Sequence, residues 1–274
     1  MRRAAGRSLL CAACLTVAWA AGPARGEVGD AAPVAPEALL QRAFEARRAD
    51  SMRQTIEIAV RNRAGDETRR RVAIAAKYID GRLHSLGRML EPEHLRGITL
   101  LNIENEGRSD DHFLFLRSMG RVRRISSAQR KDAFLGTDLS YEDFELRRVG
   151  DFDLEARPMA TLEGERVHVV AARPRFETGY EWVELSLAAS DLSLLLGRYF
   201  KRGADEPHKI LRVPRAGIRD FDGRALPTHL LVENLARGTV TEVWVHDLAV
   251  NPEIEDSLFT ATSIEVGRPI PGLE

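Results

Sequence analysis

Cysteine is nearly absent from this 274-residue chain, which contains two. Both of them, Cys11 and Cys14, fall within the first 26 residues, where we predict a secretory signal peptide. The sequence that follows has no cysteine, so it can form no disulfide, thiolate metal site or cysteine nucleophile. The chain also lacks any apolar run of the roughly 18 residues that a membrane-spanning helix needs.

Common catalytic motifs are missing as well. There is no G-x-S-x-G elbow, no P-loop and no G-x-G-x-x-G fingerprint, and no two of the seven histidines have the i, i+4 spacing of a helical zinc site. Ser126 and Ser127 lack a neighbouring histidine base, and Asp110-Asp111-His112 follows a turn where solvation explains it. We therefore expect no enzyme, no metal site and no cofactor. A cluster of buried carboxylates or histidines at a cavity mouth would favour an enzyme instead.

The first 26 residues have the layout of an export signal. Basic residues come first, an apolar stretch covers residues 8–21, and two small-x-small sites allow cleavage after Ala20 or Gly26. We expect a soluble periplasmic protein with a small-residue linker at 27–35 and one domain at 36–274. Loss of Arg2, Arg3, Arg7 and Arg25 lowers the 40 basic residues to 36 against 41 acidic ones, a net charge of about −5. That balance argues against nucleic acid as a partner.

The period of the apolar residues predicts a mainly β fold of the α+β type. Pro36 begins a predicted amphipathic helix over residues 36–49, which should lay Leu40 and Phe44 on a sheet. Further along, the period is two, as in Ile56 to Val60, and turn residues separate the apolar segments. We predict a single curved antiparallel sheet of about eleven strands that forms a half-barrel. Residues 254–274 are expected to form a surface tail.

Such a sheet has a geometric consequence. A helix of about fourteen residues, at 1.5 Å per residue, covers only part of eleven strands. The sheet should therefore curl and leave an apolar groove or cavity, which is a place for a lipid chain.

Three segments together resemble the outer-membrane lipoprotein-sorting proteins of the LolA-like superfamily. They are Phe-Leu-Phe-Leu-Arg at 113–117, Arg-Val-Arg-Arg-Ile-Ser at 121–126 and Phe-Leu-Gly-Thr-Asp-Leu-Ser-Tyr-Glu-Asp-Phe at 134–144. The last is similar to the family's F-x-G-S-D-x-S-Y-E-D loop, with Thr137 in place of serine. Residues 113–117 lack the usual Trp, Tyr and Pro. Weaker likenesses at 95–98, 199–211 and 234–259 extend the resemblance over nearly the whole mature chain.

This resemblance implies a half-barrel capped by helices, with a periplasmic cavity that shelters acyl chains. The residues of the 134–144 loop have their own physical explanation. Gly136 permits a sharp turn, and Asp138 or Ser140 can cap a short helix at 141–143. The loop is then a structural plug, a helical lid that opens for ligand, or both.

We therefore predict a carrier or chaperone for lipid or acylated lipoprotein, monomeric, with an inner-membrane transporter as a partner. The alternative is an envelope interaction or sensor module whose cavity is filled by its own side chains. The predicted lipid-cavity residues are Phe113, Phe115, Ile125, Phe134, Leu135, Tyr141, Phe144, Trp182, Leu230 and Trp244. The predicted lid residues are Gly136, Asp138, Glu142 and Asp143. A basic patch comprises Arg117, Arg121, Arg123 and Arg124. A solvated strand edge explains it, and the alternative is a surface for a partner protein or anionic headgroups.

Overall fold

The computed structural model describes residues 8–9, 34–105, 110–144 and 147–273. The predicted signal peptide and linker, apart from 8–9 and 34–35, lie outside the described residues. Two α-helices are present in the described part, α1 (Pro36–Glu45) and α2 (Ala261–Glu265). The strands are β1 (Ser8–Leu9), β2 (Ser51–Arg61), β3 (Glu67–Ile79), β4 (Arg82–Glu91), β5 (Thr99–Ile103), β6 (Asp111–Leu116), β7 (Arg121–Arg124), β8 (Arg147–Arg148), β9 (Phe152–Leu162), β10 (Glu165–Pro174), β11 (Trp182–Ala188), β12 (Leu194–Phe200), β13 (Lys209–Arg212), β14 (Ile218–Phe221), β15 (Arg224–Pro227), β16 (His229–Asn234) and β17 (Thr239–Val250).

Thirteen of these strands form one curved, unclosed sheet. Their order is β7-β6-β5-β4-β3-β2-β17-β16-β13-β12-β11-β10-β9. The two halves meet where β17 pairs antiparallel with β2, with Val243 opposite Ile58. The predicted single curved antiparallel sheet is confirmed, with thirteen strands instead of about eleven. The sequence pattern missed β4, where Gly87 and scattered polar residues obscure the alternation.

Alternation along the strands gives the sheet two distinct faces. We call the face that carries α1 the inner face. Ile56, Ile58 and Val72 lie on it in a core that also contains Leu211 and Leu230 from the other half. Cross-strand pairs such as Ile56 with Val72 put these side chains on one side, so the two-residue period directly determines the core.

Helix α1 covers the inner face at the β10–β12 end of the sheet. Pro36 lies in its first turn, and the apolar stripe of Leu39, Leu40, Ala43 and Phe44 is buried. Leu40 and Phe44 pack in one cluster with Val170, Leu187 and Leu192, as the sequence predicts. The helix ends at Glu45, four residues before the predicted end, and residues 46–47 form a turn that leads towards β2.

The C-terminal segment covers the outer face of the other half of the sheet. Ile254, Leu258, Phe259, Ile264, Ile270 and Leu273 are all buried there, against residues that include Ala75, Leu86 and Leu101. The prediction of a surface tail at 254–274 is therefore wrong. The physical reason is that β3 to β6 present apolar residues on both faces, so the outer face also needs a cover.

Two short antiparallel pairs lie outside the large sheet, β14 with β15 and β1 with β8. The β14–β15 hairpin lies beside α1 and completes the cover over the inner face. In the described part of the chain, no helix is long and apolar enough to cross a membrane.

Candidate functional site

An apolar cavity lies between α1, the inner face of the sheet and the β14–β15 hairpin. Its volume is about 70 Å³. Helix α1 contributes Leu40, Ala43 and Phe44, and Arg47 follows from the turn after the helix. The remaining lining residues come from the sheet, its turns and the hairpin: Leu185, Leu187, Leu192, Ser193, Leu194, Tyr199, Leu211, Val213, Ile218, Ala225, Pro227 and Leu230.

The size of this cavity decides what it can hold as it stands. Pockets for small molecules usually measure about 300–1,000 Å³, and an engineered cavity of about 150 Å³ holds benzene. At about 70 Å³ the present cavity is smaller than either, so a whole acyl chain requires its cover to move. The cover is a ten-residue helix and a two-stranded hairpin.

Arg47 is the one charged residue among those that line the cavity. It is 8% exposed. Its guanidinium donates hydrogen bonds to the Ala43 carbonyl at 2.6 Å, the Asp191 carbonyl at 3.0 Å and Ser193 Oγ at 2.9 Å. Burial is the main cause that lowers the pKa of Arg47; the nearby Asp191 carboxylate opposes it and Arg215 adds to it.

The segment that carries the family-like loop lies over the inner face beyond the cavity. We call residues 132–144 the inner loop. Leu139 joins the central core, while Phe134 packs with Leu100 and Leu114 and meets Tyr141 edge-to-face at 5.4 Å between ring centroids. Gly136 has a φ of +78°, which permits the reversal between these anchors and favours glycine at this position.

Asp138 anchors the inner loop to β17. Its carboxylate accepts hydrogen bonds from the hydroxyls of Thr239 and Thr241, the latter at 2.9 Å, and its backbone N–H donates to Thr241 Oγ1 at 2.9 Å. The Asp138 side chain is almost completely buried. The predicted helix cap at 138 is therefore better described as a cross-link from the loop to the sheet.

Asp143 anchors the loop to β13 through a buried ion pair. The Lys209 Nζ donates to both carboxylate oxygens, at 2.7 and 2.6 Å. The two side chains are 2% and 4% exposed. Lys209 also lies over the rings of Tyr180 and Tyr199, with 4.8 and 4.6 Å from Nζ to the ring centroids. The ammonium group is thus compensated on several sides.

Glu142 makes a third connection. Its carboxylate accepts from Thr178 Oγ1 at 2.9 Å and from the Gly179 N–H at 3.2 Å. All three acidic residues predicted for the lid thus join the loop to other parts of the chain.

The structure distributes the ten predicted cavity residues over several places. Leu230 lines the cavity, and Ile125, Phe134, Leu135 and Tyr141 form the cluster under the inner loop. Phe113 and Phe115 lie on the outer face beneath the C-terminal segment. The side chain of Phe144 lies outside the described part of the chain.

Both predicted tryptophans also lie on the outer face. Trp182 stacks on Phe200 with centroids 3.9 Å apart, and Trp244 stacks on His229 at 5.6 Å. Trp244 lies between Val243 and Val245, which face the core, so strand alternation directs the Trp244 side chain to the outer face. Their aromatic character suggested that Trp182 and Trp244 contact lipid. Alternation along the strand, however, determines which face of the sheet each side chain occupies.

The predicted basic patch lies at one edge of the sheet. Arg121, Arg123 and Arg124 belong to the edge strand β7, and Arg117 begins the preceding turn. All four are exposed. Arg124 pairs with Asp111, and Arg117 approaches Glu93 at 3.8 Å.

Sequence reasoning missed Arg47 and Lys209 as parts of the site. Each is a basic residue at a position where the periodic pattern of its helix or strand calls for an apolar side chain. Arg47 continues the Leu40, Ala43, Phe44 spacing of α1, and Lys209 precedes Leu211 by two positions on the inner face of β13. A charge in such a position signals a buried partner or a ligand. Within the described residues, no group of three or more metal-binding side chains comes together.

The fold has clear counterparts among solved structures. A DUF1329 family protein from Desulfovibrio piger is 22% identical, with a TM-score of 0.78 over 83% of this chain and 97% of that one. A putative outer membrane lipoprotein-sorting protein domain from Vibrio parahaemolyticus is 19% identical, with a TM-score of 0.77 over 83% and 97%. A LolA superfamily protein from Nitrosomonas europaea is 21% identical, with a TM-score of 0.66 over 83% and 98%.

These likenesses show that the chain has the fold found in these proteins, a LolA superfamily protein among them, and they define its fold class. A family model described as "Uncharacterized protein" matches residues 81–266, and the chain belongs to that family. No curated protein matches the chain.

Proposed function

We propose that this protein is a periplasmic carrier that shelters an acyl chain of a lipid or lipoprotein between α1 and the inner face of the sheet. The observation that carries the proposal is the apolar cavity under a ten-residue helix and a two-stranded hairpin. Neighbours with the same fold include a putative outer membrane lipoprotein-sorting protein domain, which supports a carrier-like role. Export, a transporter partner and a monomeric state belong to the same proposal.

Loading requires α1 and the hairpin to move away while the inner loop stays. Exposing Leu39, Leu40 and Phe44 costs about 5–9 kcal/mol, at about 1.5–3 kcal/mol for each side chain. An acyl chain of about twelve carbons recovers a similar amount, at about 0.8 kcal/mol for each buried methylene. The acyl chain therefore roughly offsets the cost of exposing α1, which suits a carrier that must both load and release.

The basic patch on β7 suits a partner with an acidic surface. Arg117, Arg121, Arg123 and Arg124 lie at the opposite edge of the sheet from β9, away from the strands that α1 covers. A docking surface there leaves α1 free to open while the partner is bound. Neutralising Arg121 and Arg123 together should weaken transfer to a partner and leave lipid uptake unchanged.

The direct test is lipid binding by the mature protein. Native mass spectrometry after purification from the periplasm, followed by titration with a fluorescent fatty acid, should detect a stoichiometric lipid. Ala225→Leu fills the cavity from the hairpin and should reduce uptake at least tenfold. Ala236→Leu, an exposed position, is the matched control and should bind like the wild type. A protein that is purified without lipid and also fails to bind the fluorescent fatty acid would refute the carrier function.

A second candidate function is an envelope interaction or sensor module without lipid cargo. The observation in its favour is that the inner loop packs Leu139 into the central core and is tied down by Asp138 and Asp143. In that case Ala225→Leu should stabilise the protein without any loss of function in the cell. Measuring the melting temperature and the cellular phenotype of this one variant separates the two candidates.

A further inference from the structure

The single charge in the cavity lining is placed where a lipid headgroup could meet it. Arg47 follows directly on the buried stripe of α1, and its guanidinium lies between the helix and the turn that joins β11 to β12. Apart from Ser193 and the Tyr199 hydroxyl, the other side chains of the lining are apolar. A chain lying in the cavity could therefore have its polar end at Arg47.

The present hydrogen-bond partners of Arg47 are all neutral. They are two backbone carbonyls and one serine hydroxyl, and among the described residues no carboxylate makes an ion pair with this guanidinium within 4.0 Å. The acid that acts on it electrostatically, Asp191, is shared with other groups. Its carboxylate accepts from the Ser193 N–H at 2.9 Å and from Arg215 at 2.8 Å.

A buried guanidinium with neutral partners gains from an anionic one. Hydrogen bonds between an arginine and a carboxylate or phosphate are roughly twice as strong as those with neutral acceptors, and two can form side by side. Burial is the main cause that lowers the pKa of Arg47, as expected for a buried cation whose charge is only partly compensated.

We propose that Arg47 binds the oxyanion headgroup of the cargo, so that this protein prefers acyl chains ending in a carboxylate or phosphate over neutral ones. This inference rests on the carrier function proposed above. It narrows the cargo to anionic lipids and makes Arg47 the residue that determines headgroup preference.

The test compares three ligands of equal chain length on one protein: dodecanoic acid, dodecyl phosphate and dodecanol. Wild type should bind the acid and the phosphate about tenfold more tightly than the alcohol at pH 7.5, as measured by calorimetry. In Arg47→Met the ratio of anion affinity to alcohol affinity should fall close to one, while Arg47→Lys should retain part of the preference for anions. The ratio is taken within each variant, so a general loss of stability cancels.

A second measurement uses the wild type alone and needs no variant to fold. At pH 4 most of the dodecanoic acid is protonated, since a carboxylic acid has a pKa of about 4–5. The affinity of dodecanoic acid relative to dodecanol should then fall, while dodecyl phosphate, which is still an anion, should still bind more tightly than dodecanol. A phosphate preference without a carboxylate preference at pH 7.5 would assign the site to phospholipid-type headgroups and support the inference.

The contrary results are distinct. Equal affinity for all three ligands, or a ratio unchanged in Arg47→Met, would overturn the inference and leave the carrier function intact. Failure of every ligand, dodecanol included, to bind would overturn the carrier function itself.

Discussion

Replacing Lys209 by methionine should destabilise the whole domain, because it leaves the Asp143 carboxylate without its cation in the core. The carboxylate is 4% exposed, and Lys209 Nζ approaches both of its oxygens within 2.7 Å. Among the described residues, the other hydrogen bonds to the Asp143 carboxylate come from the N–H and the hydroxyl of Ser140, at 2.7 and 2.9 Å.

The size of the effect follows from the burial. Removing one partner of a buried ion pair costs about 3–5 kcal/mol, since an uncompensated charge remains. With a urea dependence of about 3 kcal/mol/M for a chain of this size, the midpoint of unfolding should fall by about 1–2 M. Because Asp143 anchors the inner loop near its end, amide protons of residues 132–144 should exchange faster even before global unfolding.

The assay is urea unfolding followed by tryptophan fluorescence, on four proteins. Lys209→Met and Asp143→Asn are the single variants, and the double variant should regain at least about 2 kcal/mol relative to Lys209→Met, because the stranded charge is gone. Asp153→Asn breaks an exposed ion pair with Arg175 and serves as the control, with little or no change expected. A Lys209→Met protein whose urea midpoint lies within about 0.5 M of the wild-type midpoint would refute the reasoning. That difference corresponds to roughly 1.5 kcal/mol.

Three further predictions concern other parts of the fold. Asp138→Ala removes the acceptor of two threonine hydroxyls on β17 and should lower the free energy of unfolding by about 1–3 kcal/mol, with increased proteolysis of the inner loop as the measurement. Ile264→Ala empties a site with 0% exposure under the C-terminal segment and should cost about 2–5 kcal/mol in thermal unfolding; an unchanged melting temperature would contradict the covered outer face. Burial lowers the pKa of His84, so the unfolded chain binds more protons than the folded one near and below pH 6.5, and stability should fall as pH decreases through that range. His84→Gln should reduce this fall between pH 7.5 and pH 5, whereas His246→Gln, at an exposed position, should not; equal pH dependence in both variants would speak against a role for His84.

Much of the fold could be predicted because local periodicity and the core coincide here. The two-residue period of β2 and β3 places Ile56 and Val72 in the core, and the spacing of Leu40 and Phe44 places α1 on the sheet. The prediction was wrong for residues 254–274, where Phe259 and Ile264 are buried. Short apolar segments separated by Pro and Gly have no clear period, so only the apolar outer face of β3 to β6 shows where they pack.

The candidate site was harder to predict, because it depends on contacts between distant parts of the chain. The loop at 134–144 was recognised from its residues, yet its attachment to Lys209 and Thr241 spans about a hundred positions at the longest. Phe113 and Trp244 were predicted for the cavity from their aromatic type, but each lies in the outward phase of its strand. Phase can be assigned from sequence only when it is known which face of the sheet is covered.

The sequence alone determines the class of fold and the importance of the inner loop, since strand period, turn residues and a short motif are local properties of the chain. Tertiary structure alone decides which face each strand buries, that Asp143 meets Lys209 and that Arg47 is the charge beside the cavity. The physical reason is that a buried charge is stable only with partners brought from far along the chain. Those partners are defined by the register of thirteen strands, which no single segment contains.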